Sequence, residues 1–356
     1  MDHETYIRTI SGEAKGAGAA LWRWFFLALS AIYFFVWAVR EIAFALHLLP
    51  SARVRSRVIS VGNITVGGTG KTPAVIYFAR RHQSAGKRVV VISRGYGRRL
   101  KSKKPVIVSD MEGKVLASPK ASGDEPYLLA RKLPGVPVIA CPNRTRAAKL
   151  AIKRFNPEMI LLDDGFQHRR IRRDEDIVVI DCDNPFGYDH LLPRGLLREP
   201  LRALKRATQF LLTHADERKH AWLAEKLREI NPRAGILLSR HRPVGLFIIS
   251  KNRSVPLQML KGRSVIALSS IGNPASFERT LKKAGARVLG AFRFPDHYWY
   301  SNEDVLKMRK DMKKVKPEYV VTTEKDAVRL ELLEEKLENL LLLEIELEII
   351  GDYPGA

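Results

Sequence analysis

Gly62-Asn63-Ile64-Thr65-Val66-Gly67-Gly68-Thr69-Gly70-Lys71-Thr72-Pro73 is the stretch on which the fold turns. A β-branched run, Arg57-Val58-Ile59-Ser60-Val61, precedes it, and a segment of helical periodicity, Ala74 to Gln83, follows it. Strand, Gly-rich loop, Gly-Lys-Thr and helix form the layout of a phosphate-binding loop. Small residues let the backbone curl until successive N–H groups and a helix N-terminus point at phosphate oxygens. Thr65, Val66, Gly67, Gly68, Thr69 and Gly70 are expected to cradle the triphosphate. Lys71 is expected to reach its β- and γ-phosphates, and the Thr72 hydroxyl to ligate Mg²⁺. Thr65 stands where the G-x-x-x-x-G-K-[ST] template has its first glycine; Gly67 and Gly68 supply glycines inside the loop instead.

Outward from this loop, buried strands alternate with helices. Arg88 to Ser93 reads as a parallel strand, ending in the basic turn Arg94-Gly95-Tyr96-Gly97-Arg98-Arg99. Arg94 is a candidate for binding a substrate phosphate, or else a solvated surface residue. Pro105 to Ser109 and Val136 to Ala140 read as strands, and Pro126 to Lys132 and Asn143 to Phe155 as helices. Met159 to Leu162 is an apolar strand that ends in Asp163-Asp164-Gly165-Phe166-Gln167-His168. Paired carboxylates there resemble a Walker B strand, which delivers an Asp beside the Mg²⁺ of the loop. Asp163 and Asp164 are therefore metal candidates; for one of them a cap or a structural hydrogen bond is the alternative. Gln167 and His168 are expected to line the site. Further strands are expected at Ile177 to Asp181 and Phe210 to Thr213, and a helix at His220 to Ile230.

Beyond residue 233, Gly235 to Ser239 and Val244 to Ile249 look like two consecutive strands with no helix between them. An α/β texture then restarts, with a strand at Val265 to Leu268, helices at Pro274 to Ala284 and Asn302 to Lys314, and strands at Tyr319 to Thr323 and Leu340 to Ile349. The expected fold is a P-loop NTPase-type, doubly wound, mostly parallel α/β sheet with a smaller C-terminal α/β lobe. The expected divisions are an N-terminal region 1–50, a P-loop core 51–232, connecting strands 233–260 and a C-terminal lobe 261–356.

The N-terminal region holds Trp24 to Val39, sixteen uncharged residues of which seven are aromatic. Sixteen helical residues span about 24 Å against a hydrocarbon core of about 30 Å. Including Trp22 and continuing to Leu49 lengthens the segment but brings in charges. A cleaved leader would carry the nucleotide site out of the cytoplasm, and a buried core helix is the plainer alternative. A membrane anchor, spanning or set in one leaflet, is the expectation, with Trp22, Trp24 and Trp37 as interfacial residues. The net charge is +23, and residues 51–110 carry fourteen Lys or Arg against one Asp. Such a surface attracts an anionic bilayer, a phosphorylated substrate or nucleic acid. A nucleic-acid-stimulated ATPase fits the apolar N-terminus poorly, and no nucleic-acid module is visible, so no nucleic-acid partner is expected. Cys141 and Cys182 give neither a disulfide framework nor metal-ligand spacing. A regulatory or transport NTPase remains an alternative. GTP is not supported, because Thr323-Glu324-Lys325-Asp326 is out of register with the guanine signature.

Five motifs in order resemble the tetraacyldisaccharide 4'-kinase family. They are Gly62 to Pro73, Gly123-Asp124-Glu125-Pro126, Asp163 to His168, Pro193-Arg194-Gly195-Leu196-Leu197-Arg198-Glu199-Pro200 and Phe294-Pro295-Asp296-His297. The resemblance runs from the apolar N-terminus to Thr322-Thr323-Glu324-Lys325-Asp326-Ala327, nearly the whole chain. It implies ATP and Mg²⁺, and an acylated disaccharide 1-phosphate lipid as phosphate acceptor. It also implies work at the cytoplasmic face of the inner membrane of Gram-negative bacteria among anionic lipids. A monomer is expected. The resemblance further implies that Asp124 accepts the hydroxyl proton, paired with His297 across the two lobes. It makes Glu199 a magnesium-side carboxylate and Arg198 a neutraliser of developing charge. From the residues alone Asp124 is equally a helix cap, His297 a loop histidine, and Arg198 and Glu199 a surface pair.

Overall fold

The computed structural model describes residues 1–99, 104–215 and 221–350. At its centre β1 (Arg57–Gly62) runs into the phosphate loop and α3 (Lys71–Ser84), preceded in the chain by α1 (His3–Ile10) and α2 (Ala17–Ala45). Around β1 are arrayed β2 (Val89–Ser93), β3 (Val106–Ser109), β4 (Val138–Ala140), β5 (Met159–Asp163), β6 (Glu175–Asp181) and β7 (Gln209–Thr213). Their order is β7-β6-β1-β5-β2-β4-β3, parallel except for the antiparallel edge pair β3–β4.

Alternation along these strands places apolar side chains on both faces, which is why they read as unbroken apolar runs. Val58, Val90 and Ile160 pack against Ala147, Ala148 and Ala151 of α6 (Arg144–Phe155). Ile59, Val91 and Leu161 face Phe78 of α3 and Leu129 of α5 (Asp124–Lys132), which follows the single-turn α4 (Pro119–Ser122). The sheet is therefore doubly wound, and the C-terminal ends of β1, β2 and β5 deliver the phosphate loop, the Arg94 turn and the paired aspartates to one edge.

The connector departs from expectation. Residues expected as two strands form one continuous β8 (Gly235–Ile248), preceded by α7 (Ala221–Ile230). It pairs parallel with β7, antiparallel with the short β9 (Arg253–Val255), and antiparallel with the last strand, Leu340–Ile350. Val244 is an extra residue in that register, a bulge beside Pro243, which has no N–H to donate. Arg240 and Arg242 looked like loop residues. They ion-pair across the strands with Glu346 and Glu348, so charge belongs to the pairing itself. His220, the expected start of α7, lies outside the described residues.

The C-terminal lobe adds β10 (Ser264–Ser269), α8 (Pro274–Lys283), β11 (Arg287–Arg293), α9 (Asn302–Val315), β12 (Tyr319–Thr323), α10 (Glu324–Leu330) and β13 (Leu340–Ile350). Its strands, in the order β11-β10-β12-β13, are parallel to one another, and β13 meets β8, so one sheet runs through both lobes. Sequence periodicity missed α1, β9, β11 and α10. The basic segment after Pro200 is a 3-10 turn, Leu201–Arg206, and not an α-helix.

α2 is 29 residues long and inverted in polarity. Trp24 and Phe35 are 70% and 67% exposed, whereas Ser30 and Trp37 on the opposite stripe are buried.

Candidate active site

Gly62 ends β1 where the chain must pass very close to another loop. A Cβ there would lie 2.7 Å from both the backbone nitrogen and the Cβ of Phe166, so only glycine lets the Asp163–Phe166 turn lie against the phosphate loop. Gly165 N donates to Val61 O across this contact, and Gln167 Nε2 donates to Asn63 O at 2.7 Å. Asn63 Nδ2 in turn donates to Thr69 Oγ1, and Thr213 Oγ1 from β7 donates to Thr69 O. The loop is thus held in shape by its neighbours before any phosphate arrives.

The structure separates the two aspartates. Asp164, in a left-handed conformation with φ 49°, turns toward the loop. It accepts from Arg198 Nη1 at 2.8 Å and Nη2 at 3.2 Å, a bidentate pair, with Lys71 Nζ 3.9 Å away. Burial pushes its carboxyl up, but Lys71 and Arg198 together hold it well below the usual carboxylate range. Asp163 points the other way and accepts from Ser93 Oγ at 2.7 Å. Burial and the negative charge of Glu125 push it up to about 7, with Asp164 adding to this and Ser93 and Arg144 opposing it. One carboxylate is thus firmly ionised and its neighbour holds a proton easily.

Asp124 opens α5 after Gly123, whose φ of 97° and lack of a Cβ let the chain pass Tyr96 O. It is 1% exposed, and its Oδ2 lies 3.1 Å from His297 Nδ1. On the far side of that ring, Lys325 Nζ lies 3.0 Å from His297 Nε2 and 3.0 Å from Glu125 Oε1. Burial disfavours the Lys325 charge, but Glu125, Asp296 and Asp124 outweigh it and raise its pKa, so it is an ammonium and donates. His297 Nε2 then accepts, which puts the ring proton on Nδ1, donating to Asp124. Burial raises the Asp124 carboxyl, while the His297 hydrogen bond and the charges of Lys325 and Arg329 more than offset it, and the group is held low. Arg329, fully buried, stands 3.7 Å from Asp124 and donates to Asp326 at 2.8 Å. Asp326 also accepts from Ser270 of the β10 end and from Tyr300, so the C-terminal lobe is tied to the dyad.

The remaining sequence candidates fall as follows. Arg94 is exposed at the end of β2, next in the chain to Ser93, which binds Asp163. Burial and then the charges of Arg144, Arg173, Arg170 and Arg94 push His168 down to about 4, so it is neutral. Gln167 Oε1 is buried without a hydrogen-bond partner among the described residues, a spare oxygen beside the loop. Glu199 is fully buried, but Arg40 Nη2 at 2.8 Å and Arg206 Nη2 take up its two oxygens. Its carboxylate is charge-balanced by the two guanidiniums. Sequence reasoning missed Lys325, Ser93, Arg329 and Arg40, although Lys325 lies within a motif already singled out.

Phosphate loop, ionised Asp164 and bidentate Arg198 at the edge of a doubly wound sheet define a P-loop phosphotransferase, and Asp124 and His297 add a hydrogen-bonded carboxylate–imidazole pair. The family model for tetraacyldisaccharide-1-P 4'-kinase matches residues 22–354. This chain belongs to that family. It is 44% identical over 319 residues to the tetraacyldisaccharide 4'-kinase of Halothermothrix orenii, covering 85% of this chain and 81% of the relative. The corresponding kinase of Geobacter sulfurreducens is 38% identical, with 90% and 88% covered. The crystal structure of LpxK from Aquifex aeolicus in complex with ATP matches with a TM-score of 0.71 at 34% identity, covering 92% of this chain and 95% of that one.

Proposed function

We propose that this chain transfers the γ-phosphate of ATP to the 4'-hydroxyl of a tetraacylated glucosamine disaccharide 1-phosphate, a step of lipid A biosynthesis. Its main support, beside family membership, is the Asp124–His297 pair, an ionised carboxylate hydrogen-bonded to an imidazole, in a chain whose phosphate loop carries the Lys71–Asp164–Arg198 cluster. Asp124 accepts the hydroxyl proton while His297 steadies the carboxylate. The sugar oxygen forms its bond to the γ-phosphorus as the bond to the β,γ-bridging oxygen breaks, and ADP leaves with that electron pair. Residues Thr65 to Thr72 hold the triphosphate, and Lys71 and Arg198 neutralise charge on the transferred group.

Thr72 and one or both of Asp163 and Asp164 are oxygen donors of the kind Mg²⁺ takes and would hold it directly or through water, and Gln167 Oε1, unpaired among the described residues, suits a water there. Mg²⁺ bound there would screen the phosphate oxygens. Arg94 is assigned to the lipid's 1-phosphate, and His168 to the wall of the site. The outward apolar face of α2 and the basic surface support a location at the cytoplasmic face of the inner membrane, where the chain would act as a monomer among anionic lipids. Residues 51–232 and 261–356 would act as two lobes, closing on substrate about the connecting strands 233–260.

The test is transfer of label from γ-labelled ATP to the acceptor lipid in mixed micelles with Mg²⁺. Label in the lipid, lost in Lys71→Ala, is the expected result. Label released only as free phosphate would overturn the kinase assignment in favour of a switch NTPase.

A further inference from the structure

The loop 190–200 that carries Arg198 lies between two partners. On one side it meets the phosphate loop, where Val66 N donates to Leu196 O at 2.8 Å and Arg198 N to Ile64 O at 2.6 Å. On the other side it is held by the N-terminal helices. Ser30 Oγ shares its one proton between Leu191 O and Phe26 O of its own helix, each at 2.9 Å, and accepts from Arg194 N at 3.0 Å. Tyr33 Oη donates to Arg198 O at 2.8 Å, and Arg40 Nη2 to Glu199 Oε1 at 2.8 Å. From α1, Tyr6 Oη donates to Pro193 O, while Arg194 Nη1 donates to Ile10 O.

Ser30, Tyr33, Trp37 and Arg40 recur at spacings of three and four, the inward stripe of an otherwise lipid-suited helix. An anchor needs only its outward apolar face. Ser30, Tyr33 and Arg40, turned inward along three turns and each bonded to the same eleven-residue loop, do something else. At Arg198 the helix grips the backbone of the residue whose guanidinium forks onto Asp164. A shift of one ångström there would unseat a bidentate pair.

We propose that α2 is part of the phosphate-transfer scaffold, with Tyr33, Ser30 and Arg40 as positioning residues that set Arg198 against Asp164. This rests on the assignment of Arg198 to charge neutralisation. Seating the helix in a bilayer and aligning the catalytic arginine are then one structural event, because the same helix has both faces engaged.

The experiment is a double-mutant cycle on the full chain. Tyr33→Phe and Arg40→Gln are made alone and in the Arg198→Ala background, with turnover measured on acceptor lipid in mixed micelles. Vesicle flotation and Tm are followed in parallel. Tyr33→Phe deletes one oxygen and is expected to lower kcat roughly three- to tenfold, with lipid KM and flotation unchanged. In the Arg198→Ala background it is expected to add nothing, because it acts through a group already gone. Losses that multiply in the double variant, or that follow flotation and recover with more micelles, would make α2 an anchor only. So would full turnover in Tyr33→Phe beside an impaired Arg198→Ala. If Arg198→Ala itself turns over normally, the charge-neutralising role fails first and the positioning role with it. If Arg40→Gln lowers Tm, Arg40→Lys keeps the charge and is expected to restore turnover.

Discussion

Replacing Lys325 by methionine removes the charge behind the dyad while nearly keeping the side chain's length. The ammonium bonds His297 Nε2 and Glu125 Oε1, each at 3.0 Å, and lies 3.8 Å from Asp296 Oδ1. Two charge-assisted hydrogen bonds at about 1.5–3 kcal/mol each set a ceiling of roughly 3–6 kcal/mol. Glu125 and Asp296 keep 22% and 38% of their side-chain exposure, so returning water recovers part of this. A net loss of about 2–3 kcal/mol remains, several degrees in Tm.

The effect on chemistry is larger than the effect on stability. Without the ammonium, His297 is free to carry its proton on Nε2 and then offers Asp124 a lone pair where it needs an N–H. Turnover is expected to fall about 10- to 100-fold. Lys325 is also among the charges that hold Asp124 low against its burial. Removing it raises that carboxyl, and because the proposed base works deprotonated, the acid limb of kcat/KM is expected to move to higher pH. Initial rates across pH 5 to 9 at saturating ATP, with nucleotide binding measured separately, give the assay. Turnover within twofold of wild type with an unmoved acid limb would refute the dyad's geometry.

Two further outcomes follow from the same site. Because burial and Glu125 push Asp163 up to about 7, the folded chain binds a proton that the unfolded chain releases between the ordinary carboxylate range and pH 7. That contribution to stability therefore falls as pH rises through the window. In Mg²⁺-free buffer, Asp163→Asn is expected to gain a few degrees in Tm over wild type on going from pH 5 to pH 8, and a constant difference would count against it. Gly62→Ala forces a Cβ to 2.7 Å from Phe166 and parts the phosphate loop from the aspartate turn. A cost of about 2–3 kcal/mol and at least a tenfold loss of ATP affinity are expected, and unchanged ATP binding by calorimetry would contradict the close approach.

The phosphate loop and the parallel core were legible because they rest on local signals. β1, β2, β5, β6 and β12 are largely buried on both faces, and their apolar runs stop at glycines or polar turns. The dyad was not legible from pattern, since Asp124 and His297 lie 173 residues apart and meet only through the tertiary fold; family resemblance alone paired them. β8 was misread because Arg240 and Arg242 are satisfied by glutamates about a hundred positions away on β13. β11, mostly exposed and interrupted by Gly290, gives little apolar periodicity to find. The inward stripe of α2 did leave a signal in the spacing of Ser30, Tyr33, Trp37 and Arg40, hidden by the aromatic residues around it.

The most direct test of the central claim is the position of the transferred phosphate. Incubating the full chain with ATP, Mg²⁺ and tetraacyldisaccharide 1-phosphate, then taking the phosphorus spectrum of the purified lipid, is expected to give two monoesters, the original at C1 and a new one at C4'. A diphosphate at C1, or a lipid unchanged while ATP is consumed, would contradict the assignment of Asp124 and His297 to a sugar hydroxyl.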